Sequence, residues 1–107
     1  MKVINCCDHD VSICNRRGDI IKTYEPSGNW ARVSHVITIK HIDGVPTKVR
    51  KDKKIVGLPE PGEDTMYIVS NILMNACPDR KDLLSFGSKV CNRYGKPIGW
   101  TTFQSNE

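Results

Sequence analysis

The sequence predicts an α+β domain: a small, mostly antiparallel sheet or open barrel of about seven short strands with one short helix packed on it. Three observations carry that reading. Short runs rich in β-branched residues recur along the chain, bounded by Gly, Pro, Asn and Asp. One hairpin signature stands out. One segment has both a helix start signal and a helix stop signal.

The elements follow in order. Met1 to Cys6 alternates weakly and suits a first strand. Val11-Ser12-Ile13-Cys14 alternates as well, and Asn15-Arg16-Arg17-Gly18-Asp19 supplies turn chemistry before the return strand Ile20-Ile21-Lys22-Thr23-Tyr24. Pro26-Ser27-Gly28-Asn29 breaks the pattern. Ala31 to Ser34 and Val36 to Lys40 read as extended, followed by an Asp43-Gly44 turn. Val45 to Lys48 and Ile55 to Leu58 read as strands on either side of a charged run. Pro59-Glu60-Pro61-Gly62 is a loop, because two prolines remove ladder donors. Met66 to Val69 reads as a central strand. Ser70 then occupies an N-cap position, Ile72, Leu73 and Ala76 share a helical face, and Cys77-Pro78 ends the helix after about two turns. Asp79 is read as capping a second short turn, Arg80 to Ser85. Tyr94-Gly95-Lys96-Pro97 marks a last hairpin between Val90 and Ile98 to Phe103.

These elements belong to a single domain, 1–107, long enough for one modest core without disulfide staples. Hydrophobic residues are 38% and charged residues 26%, a balance of globular rather than disordered chains. No window approaches a membrane span, and MKVINCCDHD lacks a signal-peptide core, so the expected location is cytoplasmic, with no membrane partner. Cys6, Cys7, Cys14, Cys77 and Cys91 make an odd count that fits reduced thiols. The formal charge of +4 is compatible with an anionic partner and too small to establish one.

Arg80, beside a helix end, can act as a bidentate anion clamp oriented by Asp82, or the two can simply close the turn as a local pair. Asn5, Asp8, His9 and Asp10 form a polar knot: either a site using His9, or a turn held by side chains bonding backbone amides. Adjacent Cys6 and Cys7 lack zinc-site spacing, so no metal is expected. Lys48, Arg50, Lys51, Lys53 and Lys54 read either as a nucleic-acid contact or as a solvated sheet edge that resists aggregation. Trp30 and Trp100 read as core or rim, with pocket lining as the alternative. No Gly-rich phosphate loop, nucleophile elbow or His-Glu-x-x-His motif occurs, so neither an enzyme nor a cofactor is expected.

In three places the chain resembles a family of small uncharacterised bacteriophage and prophage proteins. Ile4-Asn5-Cys6-Cys7-Asp8-His9 is similar to that family's Ile-Asn-Leu-Thr-Pro-His motif, with Cys7-Asp8 where the family has Thr-Pro. Gly57-Leu58-Pro59-Glu60-Pro61 with Tyr67-Ile68-Val69-Ser70, and Pro78-Asp79-Arg80-Lys81-Asp82-Leu83-Leu84, are the others. The resemblance implies a phage setting, in which small proteins without catalytic motifs often disable a host component.

The expected function is therefore a non-enzymatic phage-type binding protein that counteracts host defence by capturing a small anionic, nucleotide-like ligand. Its expected site is Asn5, His9, Ser70, Asn71, Arg80 and Asp82, meeting where the first strand neighbours Met66 to Val69. The alternatives are a protein inhibitor of a host enzyme, and a nucleic-acid binder using the basic run 48–54. A homodimer suits so small a binding protein.

Overall fold

The computed structural model describes residues 1–106. Its centre is a mixed four-stranded sheet in the order β1 (Lys2–Asn5), β6 (Thr65–Ile68), β7 (Leu83–Phe86), β10 (Phe103–Ser105). β1 and β7 both run parallel to β6, and β10 runs antiparallel to β7. Because strand residues alternate between faces, Ile4, Tyr67 and Leu83 line up on one side and Val3, Ile68 and Leu84 on the other.

Each face makes its own core. On the first, Tyr67, Val69 and Leu83 pack with Leu73 and Met74 of the helix α1 (Asn71–Ala76), together with Cys6 and Ala31. On the second, Ile68, Cys7 and Val11 pack with Leu84, Phe86, Trp100 and Phe103. That face is covered by a second sheet in the order β3 (Ile20–Tyr24), β2 (Val11–Cys14), β9 (Pro97–Trp100), β8 (Lys89–Cys91). The body is thus helix, sheet and sheet in three layers. Six helical residues cannot stand alone in water; α1 holds because Ser70 Oγ accepts from Leu73 N (3.2 Å) and because Leu73 is fully buried. At its other end, Asn106 Nδ2 donates to the carbonyls of Met74, Cys77 and Arg80.

In the third sheet, β4 (Arg32–Ile42) and β5 (Val45–Val56) form one long hairpin that pairs with nothing else. It meets the body only at its root, where Val33 packs against the first core and β4 meets α1. Eleven residues of strand span about 36 Å, which accounts for much of the molecule's 53 Å long dimension. The tip is a two-residue turn, with Asp43 at φ 53° and Gly44 at φ 74°, the doubly left-handed geometry that matches strand twist.

Several expectations change. The α+β class stands, with its one short helix, but ten strands in three sheets replace about seven in one, and none of these sheets closes into a barrel among the described residues. The central sheet is mixed rather than mostly antiparallel, since the chain returns to β6 and β7 by crossovers. Residues 45–48 and 55–58 are not separate strands: β5 runs unbroken through the charged run. Of the turn expected over Arg80 to Ser85, Lys81 and Asp82 do form a turn, but Leu83 to Ser85 belong to β7. Among the described residues no helix is long and apolar enough to cross a membrane.

Candidate functional site

The residues singled out from the sequence fall into three groups. Asn5 is 2% exposed, and its whole amide is committed. Nδ2 donates to His9 O (2.9 Å) and Tyr24 O (2.8 Å), and Oδ1 accepts from Cys7 N (2.8 Å). These bonds tie the exit of β1 to the end of β3, the turn-stabilising role that short polar side chains perform. His9 sits on this turn, exposed, with Nδ1 2.9 Å from Asp10 O and its ring stacked on Phe86 at 6.2 Å.

Ser70 and Asn71 meet at the start of α1. Ser70 caps the helix. Asn71 Oδ1 accepts from the buried Ser85 hydroxyl and from Gln104 Nε2 (2.9 Å), so it staples the helix to β7 and β10.

Arg80 and Asp82 form a bidentate pair, both contacts 2.8 Å. Arg80 Nη2 also donates to Pro59 O (3.0 Å), fastening the loop that leads into β6. The hydrogen bond from Arg80 holds the Asp82 carboxyl below its usual range. Asp82 O accepts from Tyr67 N on the β7 side of β6, whereas Asn5 lies opposite Ile68 on the β1 side, so β6 runs between them. Two surface concavities reflect the separation. One of about 420 Å³ includes Asn5, Tyr24, Glu25 and Ser27; one of about 200 Å³ includes His9, Asp10 and Trp100; neither is lined by Ser70, Asn71, Arg80 or Asp82. The structure brings these residues together in pairs; Arg80 and Asp82 bond each other, while Asn5, Ser70 and Asn71 bond other neighbours.

The cysteines are all free thiols, with Cys6, Cys7 and Cys14 buried and Cys91 exposed. Burial, then the neighbouring Cys6 and Asp8, push the Cys7 thiol up to about 11. Among the described residues no three His, Cys, Asp or Glu side chains converge as a metal site would require.

The basic run behaves differently. Lys48, Arg50, Lys51, Lys53 and Lys54 all lie on β5, exposed, and among the described residues none has an ion-pair partner. Residues 32–56 hold seven Lys and Arg against two Asp, a net +5; the rest of the chain has nine against ten, a net −1. The chain's whole excess of positive charge therefore sits on a projecting ribbon. Across the ribbon, β4 presents aliphatics: Val36 pairs with Lys51, Ile37 with Arg50 and Ile39 with Lys48. Val36, Ile37, Ile39, Ile42 and Val45 are 49–59% exposed. At the root, Trp30 is half exposed under the Arg32 guanidinium, 4.8 Å from its ring centroid. Gly57 at φ +81° makes room there, since a Cβ would stand 2.3 Å from Trp30 O. The sequence shows the charges, but not that they share one unsupported hairpin, because the run interrupts the apolar alternation that marks a strand.

No family model, curated protein or solved structure matches the chain.

Proposed function

We propose that this is a non-enzymatic binding protein whose working element is the β4–β5 arm and whose partner is a polyanion, double-stranded nucleic acid being the class that fits best. One observation carries the reading: the arm holds +5 while the remainder of the chain holds −1, and none of its five clustered cations has an ion-pair partner among the described residues. Unpaired, clustered Lys and Arg release counterions when they meet phosphates, which drives association irrespective of sequence. A two-stranded ribbon is also narrow enough for the major groove. Trp30 at the root offers a stacking surface beside Arg32.

Capture of a small anion by Asn5, His9, Ser70, Asn71, Arg80 and Asp82 has less to draw on. Asn5 has its bonds filled, and two of the three guanidinium nitrogens of Arg80 are already donating. The phage-like motifs add a setting to the proposal, an infected bacterial cell, and action against host defence remains part of it.

The test is fluorescence anisotropy with a labelled DNA duplex, an RNA duplex, a single strand and a panel of cyclic and linear nucleotides. The expected result is duplex binding that is lost when Lys48, Arg50, Lys51, Lys53 and Lys54 are all changed to Gln. Duplex binding unaffected by that change, or binding of a nucleotide but no duplex, overturns the reading.

A further inference from the structure

We infer that the open edge of β4 is a self-association surface: it takes the β4 strand of a second copy, antiparallel, across a two-fold axis at Ile37. This stands apart from the polyanion reading and needs none of it.

The two edges of the arm are built differently. β5 is guarded. It carries the five clustered cations, and it contains a bulge where the register passes from Ser34–Lys54 to Val36–Lys51, so that Asp52 and Lys53 together face His35, with Asp52 at φ 53°. Lysines and bulges are the devices that prevent a strand edge from pairing. β4 has neither. It runs Arg32-Val33-Ser34-His35-Val36-Ile37-Thr38-Ile39-Lys40-His41-Ile42 without interruption, rich in β-branched residues, and the sheet ends there. A long edge rich in exposed aliphatics is a template for another strand. A lone two-stranded hairpin is also marginal in water, whereas four strands are not.

Charge selects the partner edge. Pairing β4 with β4 leaves the two basic β5 strands outermost, three strand spacings or about 14 Å apart, beyond the roughly 8–10 Å over which exposed charges interact in physiological salt. Pairing β5 with β5 would bring them within one spacing.

The sequence of β4 then selects the register. A two-fold axis normal to the sheet must pass through a residue pair of the same number, so registers move in steps of one centre. Centred on Ile37, all eleven residues pair: Arg32 with the partner's Ile42, Val33 with the partner's His41, Ser34 with the partner's Lys40, His35 with the partner's Ile39 and Val36 with the partner's Thr38. No basic side chain faces another. Centred on Thr38, Arg32 and Val33 would lose their partners within β4; centred on Val36, Arg32 would oppose the partner's Lys40. Like charges directly opposite are unfavourable. Full pairing forms about ten backbone hydrogen bonds, as many as a standard interface carries.

The experiment is sedimentation velocity on the full chain over a range of concentrations, joined to site-specific cross-linking in a Cys91→Ser background. Residues directly opposite have Cα atoms about 4.5–5.5 Å apart, within disulfide reach. The chain should sediment as a dimer, Ile37→Cys should give a disulfide-linked dimer under mild oxidation, and Ile39→Cys should not. Ile37→Lys should raise the dimer dissociation constant at least about tenfold, while Ile20→Lys, exposed on β3 in the body's second sheet, should leave it unchanged. A chain that stays monomeric, a dimer that Ile37→Cys fails to link, or linking at Ile39→Cys as fast as at Ile37→Cys overturns the inference.

Discussion

Removing the arm should leave the body folded. The perturbation is excision of His35 to Lys53, with Ser34 joined to its partner Lys54 by a two-residue Asn-Gly turn. The magnitude follows from where the core lies. Every fully buried side chain, including Val11, Ile68, Val69, Leu73 and Leu83, lies outside the excised segment. At about 25 cal/mol per Å² of apolar area, the excision removes almost no core burial. Stability should therefore change by no more than about 1 kcal/mol, a shift in thermal midpoint of about 4–8 °C at most for a domain of this size. Leu73→Ala, fully buried against the central sheet, provides the ruler: about 2–5 kcal/mol in the same assay. Urea denaturation followed by circular dichroism reads both, while duplex binding and dimer formation should vanish from the excised protein. A loss above about 3 kcal/mol, comparable to Leu73→Ala, would refute the division into a self-sufficient body and a dispensable arm.

Three further outcomes are expected. Asn5→Ala should cost about 3 kcal/mol, since three hydrogen bonds, one buried and two partly buried, at about 1 kcal/mol each are lost; urea midpoints check this, and a cost under about 1 kcal/mol would show the turn to be held otherwise. Asp82 is held below its usual range by the hydrogen bond from Arg80, so its folded pKa lies under its unfolded value. The stability it contributes is present above the unfolded pKa, near 4, and lost as pH falls through the folded one; Asp82→Asn should flatten stability against pH below about 4, and an unchanged acid limb would contradict the pairing. At neutral pH a thiol reagent should modify the exposed Cys91 quickly, and Cys6 and Cys7 only on unfolding, because burial raises both thiols; mass mapping of labelled peptides decides.

Legibility in the sequence tracked how local each interaction is. The β2–β3 hairpin is written in Asn15 to Asp19, where the Asn15 side chain does accept from Arg17 and Asp19 amides. The helix is written in Ser70 and in Cys77-Pro78, and it spans Asn71–Ala76. The parallel neighbours β1 and β6 lie some sixty residues apart, and no local pattern distinguishes that pairing from an antiparallel one. β7 escaped because Asp79 to Leu84 carries turn chemistry, while its strand character comes from bonds to β6 such as Val69 N to Leu84 O. The arm was half legible. Asp43-Gly44 announces its tip, yet the lysines that populate β5 hide its continuity, since their strand is sustained by pairing with the β-branched residues of β4. The expected site shows the same limit. Asp82 as a partner for Arg80 is close in sequence and easy to see, but Pro59 O and Tyr24 O, which absorb donors of Arg80 and Asn5, are distant.

The central claim is that the unpaired cations of the arm meet phosphates, and the salt dependence of duplex binding tests it most directly. If five of them each neutralise a phosphate, log Kd should rise against log salt with a slope of about 4.5, falling by about one in Lys51→Gln. A duplex affinity that does not change with salt, or that keeps its slope when the arm's lysines are neutralised, would contradict the account.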